Sequence, residues 1–148
     1  MHALTPEQYA RLGRLAEAWT RHHLREAKAA PAFNPRLAAD ALCFQRHTDP
    51  ELGEQLVGAL VTPVSLWLVM VPAAAEAARP APGERHWLRL PSGAYPLESV
   101  ALGEEGWCRR LVLLDDLSDV NSRQAASRLA QQLMERLMAP AAPPGAGA

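Results

Sequence analysis

The chain of 148 residues is long enough for one domain with a buried core, and its apolar fraction of 49% and charged fraction of 21% are typical of a globular protein. Its net charge of −1 lacks the basic excess expected of a protein that binds nucleic acid or anionic membranes. The two cysteines cannot build a disulfide framework and the N-terminus has no continuous apolar segment typical of a signal peptide, so we expect a cytoplasmic protein.

The N-terminal segment carries the start signal of a helix. Thr5 and Gln8 are spaced as a capping box, and Pro6 suits the first helical position. Apolar side chains then recur at helical spacing until about Lys28, after which prolines end the pattern. The predicted stripe consists of Tyr9, Leu12, Leu15, Ala16, Trp19 and His23.

The middle of the chain contains short segments rich in strand-forming residues and separated by turns. The predicted strands are 39–46, 55–61, 64–71, 86–90, 94–102 and 107–114. Residues 72–85 form a Pro/Ala-rich loop, predicted to be mobile and to act as a flap. From about Asp119 the apolar period is helical again.

This order of elements predicts one α+β domain over residues 1–139. It comprises an N-terminal helix, about six mostly antiparallel strands and a C-terminal helix, with the helices covering one face of the sheet. Residues 140–148 are a Pro/Ala/Gly tail that we expect to be disordered.

The most apolar stretch, residues 60–72, lies in the middle of this pattern. The uncharged segment around it, 56–75, is long enough to span a bilayer. Gly58, Pro63 and Pro72 interrupt it, however, and no basic cluster flanks it closely. We therefore expect two strands divided at Thr62-Pro63 and no membrane span.

The strand 64–71 is apolar on both of its faces, whereas a sheet covered on one side should carry polar residues on the other. Two explanations remain open. The strand is central and covered on both faces, or one face is an apolar surface for a partner, anchored by Trp67. The second explanation predicts that Trp67→Ala leaves the fold intact but weakens partner binding.

Catalytic and cofactor-binding signatures are absent from the sequence. It contains no GxGxxG, GxxxxGK[ST], HExxH or CxxC motif, so we expect no enzymatic activity and no cofactor. The alternative is a small metal-binding or thiol-dependent protein in which Cys43, His47 and His86 meet in space. Against it, a free cysteine in an apolar segment usually packs as a small buried side chain.

Two charged clusters precede the last helix. Asp115, Asp116 and Asp119 either bind a divalent cation or simply lie near a helix N-terminus, where negative charge is favourable. Strand alternation places Arg109 and Arg110 on opposite faces, so one should face solvent and a shared anion site is unsupported.

One series of motifs is more informative. It consists of Asn34-Pro35, Val61-Thr62-Pro63, Leu68-Val69 with Pro72, Leu90-Pro91-Ser92-Gly93, Glu98 and an Ala/Leu/Gln-rich closing helix. In this order and at these gaps, over about residues 33–138, the chain resembles the HybE/HupJ family of [NiFe]-hydrogenase assembly chaperones. It departs from that family's pattern at Val64, where an aromatic residue is usual, and in the segment 114–119.

The resemblance implies a non-catalytic cytoplasmic chaperone without a cofactor or metal. Its partner would be an immature [NiFe]-hydrogenase subunit or that subunit's twin-arginine signal peptide, with other maturation proteins as further candidates, and export would be restrained until assembly is complete. We expect neither nucleic acid binding nor stable membrane insertion. The residues expected to contact the partner are Thr62, Pro63, Trp67, Leu90, Pro91, Ser92, Gly93 and Glu98.

Overall fold

A computed structural model describes residues 3–104 and 106–140, and within them the chain forms two helices and six strands. The expected disorder of the C-terminal tail concerns mainly residues 141–148, which lie outside the described residues. The elements are α1 (Pro6–Ala27), β1 (Asp40–Asp49), β2 (Gly53–Val61), β3 (Leu66–Pro72), β4 (Arg85–Leu90), β5 (Gly93–Ala101), β6 (Trp107–Leu114) and α2 (Arg123–Met138).

The strands form one antiparallel sheet in the order β1-β2-β3-β6-β5-β4, which confirms the predicted α+β class. The two edge strands are β1 and β4. His86 at the start of β4 nevertheless lies 2.8 Å from Asp49 at the end of β1, measured from Nε2 to Oδ2. The sheet therefore curls until its edges meet at one end.

The two helices lie on opposite faces of the sheet, so the prediction that both cover one face was wrong. Helix α1 packs on a cluster that includes Leu56, Leu60 and Trp67. Helix α2 packs on a separate cluster that includes Val57 and Leu68. The central strand β3 is apolar on both faces because each face is covered by a helix.

Helix α1 begins as predicted. Thr5 Oγ1 accepts from the Gln8 backbone N–H, and the Gln8 side chain accepts from the Thr5 N–H, forming a capping box. Tyr9 is an exception to the predicted stripe, since 58% of it is exposed. The buried stripe of the helix starts one turn later, at Leu12.

The β3–β4 loop, for which we expected a mobile flap, is exposed and makes hydrogen bonds to neighbouring strands and turns. The Arg79 guanidinium donates to the carbonyl oxygens of Gly103, Glu104 and Gly106 in the β5–β6 turn. Near its end, the Ser99 carbonyl of β5 accepts from the Gly83 backbone N–H. These hydrogen bonds hold the loop against the sheet.

Candidate functional site

The turn between β2 and β3 is built around a buried threonine. Thr62 Oγ1 accepts from the backbone N–H groups of Val64 and Ser65, at 3.2 and 2.9 Å, and donates to the Ser65 carbonyl. The side chain of Thr62 is thus fully used inside the turn, and Pro63 beside it is also buried. Any contact of these two residues with a partner would be made through the shape of the turn.

Asn34 joins this turn to two other segments. Its backbone N–H donates to the Pro63 carbonyl at 2.9 Å. Its buried side-chain amide donates to the carbonyls of Leu117 and Val120, at 2.9 and 2.8 Å. The Asn34-Pro35 motif, the Thr62-Pro63 motif and the segment leading into α2 are therefore neighbours at one end of the sheet.

The turn Leu90–Gly93 opens at the same end of the sheet but contacts α2. The Ser92 backbone N–H donates to the Leu137 carbonyl at 3.2 Å, in the last turn of that helix. Leu90 is buried, whereas Pro91 and Gly93 are exposed. Gly93 has a φ of +152°, a conformation that glycine adopts more readily than other residues.

Trp67 belongs to the core, which is the first of the two explanations for the apolar strand. Only 5% of it is exposed, and it packs in the cluster beneath α1. The Arg110 guanidinium covers its outer side, with Cζ 4.4 Å from the centre of the Trp67 ring. Val112 pairs with Trp67 across β3 and β6 and remains 38% exposed.

Trp67, Arg110 and Val112 line a groove of about 700 Å³, which we call the α1 groove. It runs between the C-terminal half of α1 and the strands β3, β6 and β5. Its other lining residues are Trp19, His23, Glu26, Ala27, Val64, Ser65, Val100, Ala101, Leu102 and Asp115.

Two carboxylates and one guanidinium, that of Arg110, line the α1 groove. Glu26 and Asp115 line it, and Glu98 is the β5 neighbour of Arg110, on the same side of the sheet. Within residues 3–104 and 106–140, none of these three carboxylates forms an ion pair. An apolar floor with an acidic rim suits an extended segment that carries apolar and basic side chains.

The sequence pointed to Trp67 in the groove and to Glu98 beside it, but not to the other lining residues. Arg110 and Val112 alternate along β6, yet their position over Trp67 depends on a register shift between β3 and β6. Nothing in the local sequence indicates that register. The remaining partner-binding predictions, Thr62, Pro63 and Leu90–Gly93, cluster at one end of the same sheet.

The residues of the metal or thiol alternative do not come together. His86 binds Asp49 at the far end of β1 from Cys43, six residues and about 20 Å along the strand. Among residues 3–104 and 106–140, no group of three or more metal-ligating side chains is found, and this includes the three aspartates before α2. Asp116 instead accepts a hydrogen bond from the Ser118 backbone N–H.

The two cysteines are in different environments. Cys108 is fully buried, and burial raises the pKa of its thiol to about 12. Cys43 is exposed at a bulge in β1 and has a positive φ of 61°. Partial burial and the nearby Glu135 carboxylate raise the pKa of the Cys43 thiol, so neither cysteine is an activated nucleophile.

Comparison with known proteins identifies the family. The family model for the [NiFe]-hydrogenase assembly chaperone HybE matches residues 10–147, nearly the whole chain. No curated protein and no solved structure matched the chain. In the part of the chain that the structure describes, neither helix is long and apolar enough to cross a bilayer. The chain belongs to the HybE family of [NiFe]-hydrogenase assembly chaperones.

Proposed function

We propose that this chaperone acts in the cytoplasm, without catalysis, by holding an exposed segment of an immature [NiFe]-hydrogenase subunit in the α1 groove. Family membership supports the class of partner. The observation that carries the location is the groove itself, with Trp67 and Val112 at its floor and unpaired carboxylates around it.

The chemistry of the groove suits a segment that combines basic and apolar residues. A twin-arginine signal peptide has that composition, so we propose it as the bound segment, with export restrained while the chaperone holds it. Glu26, Asp115 and Glu98 would face the arginines, and the exposed side of Val112 would contact the apolar part.

Trp67 and Pro63 would act indirectly in this proposal. Trp67 supports the Arg110 guanidinium and closes the floor of the groove, while Pro63 lies next to Val64 and Ser65 in the lining. The exposed part of the turn Leu90–Gly93 would offer a second, smaller contact at the same end of the sheet.

A charge substitution in the groove tests this proposal. Val112→Lys should lower the affinity for a signal-peptide-bearing precursor by about tenfold or more, because it puts a charge against the apolar part of the segment and a cation near its arginines. Isothermal titration calorimetry of the purified chaperone with the precursor measures this effect.

The matched control is Tyr9→Lys, which changes another exposed apolar residue outside the groove. It should bind the precursor with wild-type affinity. Equal affinities of Val112→Lys and wild type, with both proteins folded, would exclude the α1 groove as the binding surface.

A further inference from the structure

Buried polar atoms without a hydrogen-bond partner are concentrated in one region on the α2 side of the sheet. Four such side-chain atoms occur in the described residues 3–104 and 106–140. One is Trp67 Nε1, under the α1 groove. The other three are His47 Nε2, Gln55 Oε1 and Arg109 Nε. Because buried polar groups are nearly always paired, three unpaired atoms in one region indicate a missing partner.

The strand register places these three residues near one another on one face of the sheet. His47 of β1 pairs with Gln55 of β2, and Gln55 pairs with Pro72 of β3. Arg109 of β6 pairs with Met70, two residues before Pro72 on β3. Alternation along the strands places all three side chains on the face that α2 covers. Gln55 and Arg109 are thus separated by one intervening strand, about 10 Å across the sheet, and by two residues, about 7 Å, along it.

Arg109 is an unusual buried cation. It is only 6% exposed, and in the described part of the chain its guanidinium makes no hydrogen bond or ion pair. Its Cζ lies 5.3 Å from the centre of the Trp107 ring. A buried guanidinium is costly unless an acceptor is bound to it, so this side chain is suited to an anion.

Gln55 requires a different partner. It is 2% exposed, and its Nε2 donates to the carbonyls of Leu52 and Glu54, both at 3.1 Å. This arrangement fixes the amide orientation and leaves Oε1 as an unused acceptor. A ligand at this position would offer an N–H or O–H donor.

Gln55 and Arg109 both line an open cavity of about 530 Å³. Its other lining residues include Leu52, Pro72 and four alanines that follow β3, Ala73, Ala74, Ala77 and Ala78. Glu54 also lines the cavity, but its carboxylate accepts a hydrogen bond from the Thr48 hydroxyl on the α1 side of β2, and within residues 3–104 and 106–140 it forms no ion pair with Arg109. The cavity has room for a small ligand or for the end of a peptide.

We propose that this cavity binds a carboxylate that has a neighbouring N–H or O–H donor, with the carboxylate on Arg109 and the donor on Gln55 Oε1. An N-acylated amino acid and the C-terminal residue of a polypeptide share this chemistry. The site lies on the sheet face opposite the α1 groove and needs no hydrogenase subunit, so it stands or fails independently of the proposed function.

The test is a nuclear magnetic resonance titration of the ¹⁵N-labelled full chain with N-acetyl-L-alanine. The Arg109 Nε–H signal and the Gln55 backbone signal should shift in a saturable manner. N-acetyl-L-alanine amide lacks the carboxylate, and sodium propionate lacks the donor. Each should bind with an affinity at least about tenfold lower than that of N-acetyl-L-alanine. A peptide ending in alanine with a free C-terminus, compared with its amidated form, distinguishes a polypeptide end from a free acid.

Three variants complete the test. Arg109→Met should abolish the shifts, while Arg89→Met, which removes the same charge from an exposed position on β4, should leave them unchanged. Ala78→Phe fills the cavity from the exposed loop and should also abolish binding. Because Ala78 is exposed, this substitution leaves the buried core unchanged.

The stability of the free protein supplies an independent readout. An unpaired guanidinium predicts that Arg109→Met unfolds at the same temperature as wild type or higher, whereas a structural role predicts a clear decrease. The proposal is overturned if N-acetyl-L-alanine gives no saturable shift up to its solubility limit. It is equally overturned if N-acetyl-L-alanine amide binds with the same affinity as N-acetyl-L-alanine. The same holds if the Ala78→Phe variant binds N-acetyl-L-alanine with wild-type affinity.

Discussion

Trp67 packs between α1 and the Arg110 guanidinium. Because it is buried there, we no longer expect the fold to remain intact when its side chain is removed. Trp67→Ala should destabilise the protein by about 3–5 kcal/mol, as expected when a buried aromatic side chain is removed. Trp67→Phe keeps most of the packing and removes the unpaired Nε1, so it should cost about 1 kcal/mol or less. Urea denaturation of both variants measures these differences, and an unfolding free energy of Trp67→Ala close to wild type would place the ring outside the core.

For single residues, the sequence predicts the chemical role of a side chain better than it predicts where that side chain lies in the fold. The capping role of Thr5 follows from local spacing and is confirmed. The burial of Trp67 could not be decided, because strand alternation defines two faces but not what covers them. The groove residues Arg110 and Val112 depend on a register shift that only the folded sheet shows.

At the scale of elements, Asn34 connects the α1–β1 segment with the β2–β3 turn and the segment before α2. Asn34→Ala should cost about 2–4 kcal/mol, since one buried and one partly buried carbonyl lose their donors. Asn121→Ala is the control, because Asn121 is an exposed asparagine of the same segment and its loss should change stability by about 0.5 kcal/mol at most. Equal denaturation midpoints for the two variants would show that Asn34 does not join these segments.

Element type and order were predictable because each helix and strand has its own apolar period. Helix α1 ends within one residue of the predicted position, and the strands match closely. The faces of the sheet on which the helices lie were not predictable. The two apolar parities of β3 were the available signal, and they fitted a partner surface as well as a second helix.

The curled sheet is a property of the whole molecule, and Asp49 with His86 closes it. Burial alone would raise the pKa of the Asp49 carboxyl. Hydrogen bonds from His86 and from the backbone N–H groups of Glu51 and Leu52 outweigh that effect and hold the pKa below its ordinary value. This contact joins strands that are distant in the sequence, so no local sequence pattern predicts it.

The lowered pKa gives a defined pH dependence. A carboxyl with a depressed folded pKa contributes stability that is present above its unfolded pKa of about 3.9 and is lost as the pH falls through the folded pKa. The free energy of unfolding should therefore decrease below about pH 4 in wild type and less steeply in Asp49→Asn. Asp40→Asn, an exposed change on the same strand, should follow the wild-type curve, and parallel curves for wild type and Asp49→Asn would refute this role.

We propose that this HybE-family chaperone binds a hydrogenase subunit only before the maturation of that subunit is complete. The most direct measurement compares two affinities of the chaperone. One is for a purified subunit precursor that carries the signal peptide, and the other is for the processed subunit in the assembled hydrogenase. The account predicts saturable one-to-one binding of the precursor and binding of the assembled enzyme weaker by about a hundredfold or more. Equal affinity for both forms, or no binding of either subunit precursor, would contradict it.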